Sequence, residues 1–208
     1  MGIITRSGSF TRYLTTTTLP EDFLGNLQAM IARYAFRDLD ERSVDERSSG
    51  WVNILDMFDN QFPGVDFLKE PYVAMSLRID ERKIPPTALK QYTLQAETHI
   101  LEEEQLEYLP RRRRSEIKDA VRIRLLKRAI PVSKTHDMIW NTRTGQVIFG
   151  CVSPKTCDEF TEIFRQTFDM DIQAVCPYTL AEALLKTEDS ASDPLDELTP
   201  MAYAKEEA

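Results

Sequence analysis

The sequence predicts an α+β domain: a mixed or antiparallel sheet packed with amphipathic helices, from which a basic antiparallel helix hairpin projects. Three observations predict it. Val73, Met75, Leu77 and Ile79 alternate along the chain, the period of a strand with one buried face. Two sets recur at helical spacing: Phe23, Leu24, Leu27, Met30, Ile31 and Tyr34, and then Phe160, Ile163, Phe164 and Phe168. Between Pro110 and Pro131, nine basic side chains stand against only Glu116 and Asp119, a local charge of +7 in a chain of net charge −8.

Taken in order, residues 9–14 predict a first strand, with Phe10 and Tyr13 facing inward. The threonines before Pro20, Glu21 and Asp22 combine a cap, a first-turn proline and acids, and predict a helix start there. Residues 38–49 are charged and aperiodic and read as a loop. Gly50-Trp51-Val52 then opens a second strand, with Gly50 turning the backbone and Trp51 anchoring a core. Residues 59–69, with Pro63-Gly64, read as a loop or hairpin, and the alternating strand covers residues 72–80.

Pro85-Pro86 precedes a helix reaching about Leu109, where Pro110 ends or kinks it. A second helix follows over about Ser115 to Ala129. The two predict a hairpin over about 86–129, with Arg111, Arg112, Arg113 and Arg114 at its turn. Those arginines also answer the glutamates Glu102, Glu103, Glu104 and Glu107 at the C-terminal end of the first helix, where acids oppose the dipole. Strands at 136–141 and 146–152 flank Thr142-Arg143-Thr144-Gly145, whose glycine supplies the positive φ of a hairpin turn. Met138, Trp140, Val147 and Phe149 are core candidates. Ser153-Pro154 caps the next helix, residues 171–176 form a last strand, and residues 178–186 a short helix. One domain of residues 1–186 is thus followed by an acidic, disordered tail, 187–208.

Composition narrows the function. With 42% apolar and 29% charged residues, the chain is that of an ordinary globular protein. No apolar run suggests a signal peptide or a membrane span, so a cytoplasmic location is expected. Cys151, Cys157 and Cys176 are expected to be reduced and buried, and with His99 and His136 they match no zinc spacing. No phosphate loop, nucleophile elbow or paired-histidine motif is present, and Asp80 and Asp137 read as strand-end carboxylates in water. A protein that is not an enzyme, with no metal, cofactor or small-molecule substrate, is expected.

The basic segment points elsewhere. Clustered Arg and Lys attract polyanions through the phosphate backbone, without reading sequence. The candidate DNA-binding residues are Arg111, Arg112, Arg113, Arg114, Lys118, Arg122, Arg124, Lys127 and Arg128. The competing reading is a solvated helix face balanced by the upstream acids.

A set of landmarks, in order, resembles the bacterial recombination-associated protein RdgC family. They are Gly50-Trp51-Val52, Pro86 with the charged hairpin, Leu125-Leu126-Lys127-Arg128-Ala129, Met138-Ile139-Trp140, Thr144-Gly145, the strand ending at Cys151, residues 153–168 and Pro177-Tyr178-Thr179-Leu180-Ala181. The resemblance covers most of residues 9–185. It implies a nucleoid-associated, cofactor-independent protein that binds duplex DNA without sequence preference. Two subunits would close into a ring and limit access of the strand-exchange recombinase. It also implies that Lys118, Arg122, Arg124, Lys127 and Arg128 form the basic set of the second hairpin helix, with residues 111–114 in place of a lysine-rich turn. Ile130 stands where relatives can carry an aromatic residue, and the acidic segment where they continue into a further C-terminal region. Two other readings remain: an adaptor that keeps the fold without encircling DNA, and a tail that folds onto the basic hairpin as a mimic of DNA.

Overall fold

A computed structural model describes residues 8–17, 19–20, 22–40, 43–62, 64 and 66–186. Its elements are β1 (Thr11–Thr15), α1 (Phe23–Arg33), β2 (Arg47–Val52), β3 (Leu68–Lys69), β4 (Tyr72–Glu81), α2 (Pro86–Glu104), α3 (Arg111–Arg128), β5 (Val132–Asn141), β6 (Gln146–Phe149), α4 (Pro154–Phe168), β7 (Ile172–Ala174) and α5 (Pro177–Lys186). All strands join one antiparallel sheet, in the order β2-β4-β5-β6-β1-β7, with the short β3 beside β4. This is the α+β class that the pattern predicts. The acidic segment 187–208, with its expected disorder, lies outside the described residues.

Alternation along β4 and β5 aims Val73, Met75, Leu77, Met138 and Trp140 at one face, where α1 and α4 cover them. α4 contributes Phe160, Phe164 and Phe168, all buried, as its period predicts. Phe160 stacks on Phe149 with ring centroids 3.9 Å apart, and Trp51 donates its indole N–H to Thr167 Oγ1 at 2.8 Å. Burying each such aromatic side chain contributes roughly 2–3 kcal/mol. The β5–β6 hairpin turns at Gly145, whose φ of 74° is the left-handed value the turn needs.

Several boundaries differ from expectation, each for a physical reason. α1 begins at Phe23 behind Asp22 without a side-chain cap, so neither the threonines nor Pro20 start it. Ser153 precedes α4 but likewise makes no side-chain cap bond. Phe10 is exposed ahead of β1, and only Tyr13 of the pair packs inward. Gly50-Trp51-Val52 closes β2, because the strand already begins at Arg47 inside the supposed loop. Gly50 does not turn the chain either. It lets the Phe36 backbone lie against β2, where Phe36 N–H donates to Trp51 O at 2.9 Å and Trp51 N–H to Tyr34 O at 3.0 Å. A Cβ at position 50 would stand 2.4 Å from Phe36 Cα. β5 starts at Val132, four residues before the expected strand, because it pairs with the whole of β4.

The far face of β4 is buried as well. Ser76, Arg78 and Asp80 are buried there, with the Arg78 guanidinium lying against the Phe36 and Phe58 rings.

Gly50→Ala should therefore destabilise the fold by about 2 kcal/mol or more, since backbone and not a flexible side chain fills the space. Urea unfolding checks this; an unchanged midpoint would contradict the close approach.

Candidate nucleic-acid interface

The antiparallel register brings Glu81 of β4 opposite Val132 of β5, and the chain between them forms α2 and α3. The helices pack on each other through Leu109, Ile117 and Val121, supported by Leu89, Ala96, Ile100, Leu101 and Leu125. This small cluster is separate from the core under the sheet. At one end Glu104 pairs with Arg113, and at the other Arg122 pairs with Glu46, just ahead of β2.

The turn is built differently from the sequence reading. α2 ends at Glu104, not near Leu109, because Gln105 takes a left-handed conformation, φ 53°, and its N–H bonds back to Leu101 O. Pro110 then serves as the N-cap of α3, and all four arginines form its first turn. Proline with its fixed φ is well suited to that entrance. The arginines are not: cations at the N-terminus oppose the helix dipole, each by roughly 0.3–1 kcal/mol. Arg113 is offset by Glu104 and Arg112 by Glu116, 3.0 Å away one turn on. Among the described residues, Arg111 and Arg114 have no ion pair.

All nine basic residues are exposed, but they do not form one face. Arg111, Arg114, Lys118 and Arg122, spaced by three, four and four, align in one stripe about 16 Å long. Arg124 and Arg128 instead edge a groove against α2, together with Leu94, Ile100 and Leu125. Arg113 is held across the turn, while Arg112 and Lys127 fall outside the stripe. Charge clustering finds all nine. Helical phase, once α3 is known to begin at Arg111, selects the four that align.

Elsewhere, polar side chains are built into the fold. Asp80 is buried, not solvated at a strand end: the Arg78 guanidinium grips both its oxygens, at 2.9 and 2.8 Å, and lies 4.1 Å over the Phe36 ring. Asp137 is buried too and accepts a 2.8 Å bond from Ser76. Arg82 donates to the carbonyls of Asp40, Ser43 and Asp45. The sequence reading missed Arg78 and Arg82; for Arg78 its place on the second face of the alternating strand was the available signal, while Arg82 lies just past the end of β4. His136 is half-buried, and that burial lowers its pKa even though the Gly150 carbonyl beside it pulls the other way. The thiols were expected to be buried, but Cys151 and Cys157 are only partly buried and Cys176 is exposed. Thr179, bonding to its sulfur, lowers the Cys176 pKa. Among the described residues, no three or more His, Cys, Asp or Glu come together in a way that could hold a metal ion. No helix among them is long and apolar enough to cross a membrane.

The Arg78–Asp80 pair is therefore read as structural. Arg78→Met strands a buried carboxylate and should cost about 3–5 kcal/mol. Arg78→Met with Asp80→Leu should recover most of that. Thermal unfolding of both variants checks it, and a double variant as unstable as the single one would contradict the reading.

No curated protein matches the chain. The family model described as "Putative exonuclease, RdgC" matches residues 10–185, which include the sheet, both hairpin helices and the whole α3 stripe. The chain belongs to the RdgC family.

Proposed function

We propose that this chain is a sequence-independent DNA-binding protein acting in recombination or replication, with the α3 stripe as its contact to phosphates. The observation that carries this reading is the alignment of Arg111, Arg114, Lys118 and Arg122 on one exposed face. Arginine and lysine on phosphate oxygens give affinity without base reading, through charge-assisted bonds and counterion release. Duplex DNA carries one charge per roughly 1.7 Å of axis, so a 16 Å stripe faces about five base pairs of backbone. By occupying duplex DNA, the protein would restrain loading of the strand-exchange recombinase. A nucleoid-associated homodimer fits that role, with no cofactor.

The family description favours a second reading, an exonuclease. The two differ in what happens to the DNA. End-labelled duplex incubated with the protein and magnesium or manganese should keep its length; progressive shortening would replace binding by catalysis.

For binding itself, Arg111, Arg114 and Lys118, the stripe cations with no ion pair among the described residues, give three phosphate contacts and a slope near −2.7 in log K against log salt, roughly a fortyfold loss between 50 and 200 mM. Fluorescence anisotropy with a labelled duplex measures the slope. The triple variant Arg111→Glu, Arg114→Glu and Lys118→Glu should flatten it and weaken binding at least tenfold at low salt. Salt-insensitive binding, or a variant that binds as wild type does, would sink the proposal.

A further inference from the structure

The α2–α3 hairpin has a second feature that phosphate binding leaves unused. Between the helices runs an open groove of about 1090 Å³. Tyr92, Leu94, Ala96, Ile100 and Leu125 supply its apolar lining, and Arg124 and Arg128 stand on one edge. Glu102 lines it too. Leu94 is 63% exposed and Tyr92 43%, and α2 has no buried residue along its 19 positions. A helix that buries nothing completely, beside a groove with an apolar floor, presents a surface suited to covering by a segment with spaced apolar anchors.

Such a segment is present in the same chain. Residues 188–207 carry seven acidic side chains and one lysine, a net charge of −6, facing the +7 of the α3 region. Within them Leu195, Leu198 and Met201 recur every third residue, beside Asp196 and Glu197. That is the composition the groove requires: apolar anchors for the floor and carboxylates for the arginine edge. Reach is no obstacle. Twenty residues can extend roughly 65 Å, against a radius of gyration near 16 Å for a domain of this size. Attachment to the same chain also supplies an effective concentration of order millimolar, so even a weak contact with Kd near 0.1 mM is about tenfold populated.

We propose that residues 188–207 occupy the α2–α3 groove of their own chain, with Leu195 and Leu198 on the apolar floor and Asp196 and Glu197 against Arg124 and Arg128. Bound there, the segment places its negative charge beside the α3 stripe and competes with DNA. The competition rests on the DNA-binding reading, whereas the docking does not.

The test compares the full chain with its Leu195→Ser/Leu198→Ser variant, whose changes lie outside the described residues. Hydrogen–deuterium exchange of residues 91–102 reads docking directly, and anisotropy with duplex DNA reads competition. The variant should exchange several-fold faster over 91–102 and bind DNA up to about tenfold more tightly. Unchanged exchange overturns the docking, whatever happens with DNA. Faster exchange with no DNA binding by either protein supports the docking and removes the DNA-binding reading. Protection in the wild type that falls on dilution identifies a second copy as the occupant and overturns the intrachain form.

Discussion

β4 and β5 pair along their full length, from Tyr72 opposite Asn141 to Glu81 opposite Val132. Paired strands lie about 5 Å apart, so the chain that leaves the sheet at Glu81 must return almost to the same point. One helix cannot do this, but two helices of nearly equal length can. α2 and α3, of 19 and 18 residues, each span close to 28 Å, and their pairing brings the chain back to Val132. The ten-residue ladder thus accounts for two things together: β5 beginning before the expected strand, and the antiparallel hairpin.

Within that frame, two demands on α3 conflict. Packing needs an apolar row toward α2, and Ile117, Val121 and Leu125 provide it. Helix stability favours acids in the first turn, yet Arg111 to Arg114 stand there. Glu104 and Glu116 relieve part of the conflict, while Arg111 and Arg114 are left to solvent. Local choices that oppose stability mark functional surfaces more often than structural ones. Arg78, Asp80 and Arg82 differ, because their charges are consumed by partners inside the fold, and within the stripe Arg122 is held by Glu46.

Much of this architecture was legible in the sequence because single periodicities carried it. The alternation in β4, the aromatic row of α4 and Gly145 in its turn each reflect one local constraint. What escaped depended on distant groups. The role of Gly50 lies in the backbone of Phe36, fourteen residues earlier, and the sequence offered only a glycine to interpret. Arg78 and Asp80 are buried with the Phe36 and Phe58 rings against the Arg78 guanidinium, which periodicity in β4 cannot reveal. At the hairpin, the basic cluster was plain but its phase was not. Placing the start of the helix at Ser115 left the four arginines in a turn, whereas Gln105 and Pro110 put them on α3 and set which of them align.

Lys118 and Lys127 offer the most direct check on the central claim. Nine residues apart on one helix, they point in opposite directions, Lys118 within the stripe and Lys127 behind it. Both are exposed in the free protein. Acetylation by a small reagent, quantified by mass spectrometry with and without duplex DNA, should show Lys118 protected and Lys127 still reactive. Equal protection of the two, or protection of Lys127 alone, would contradict a phosphate contact made by this face of α3.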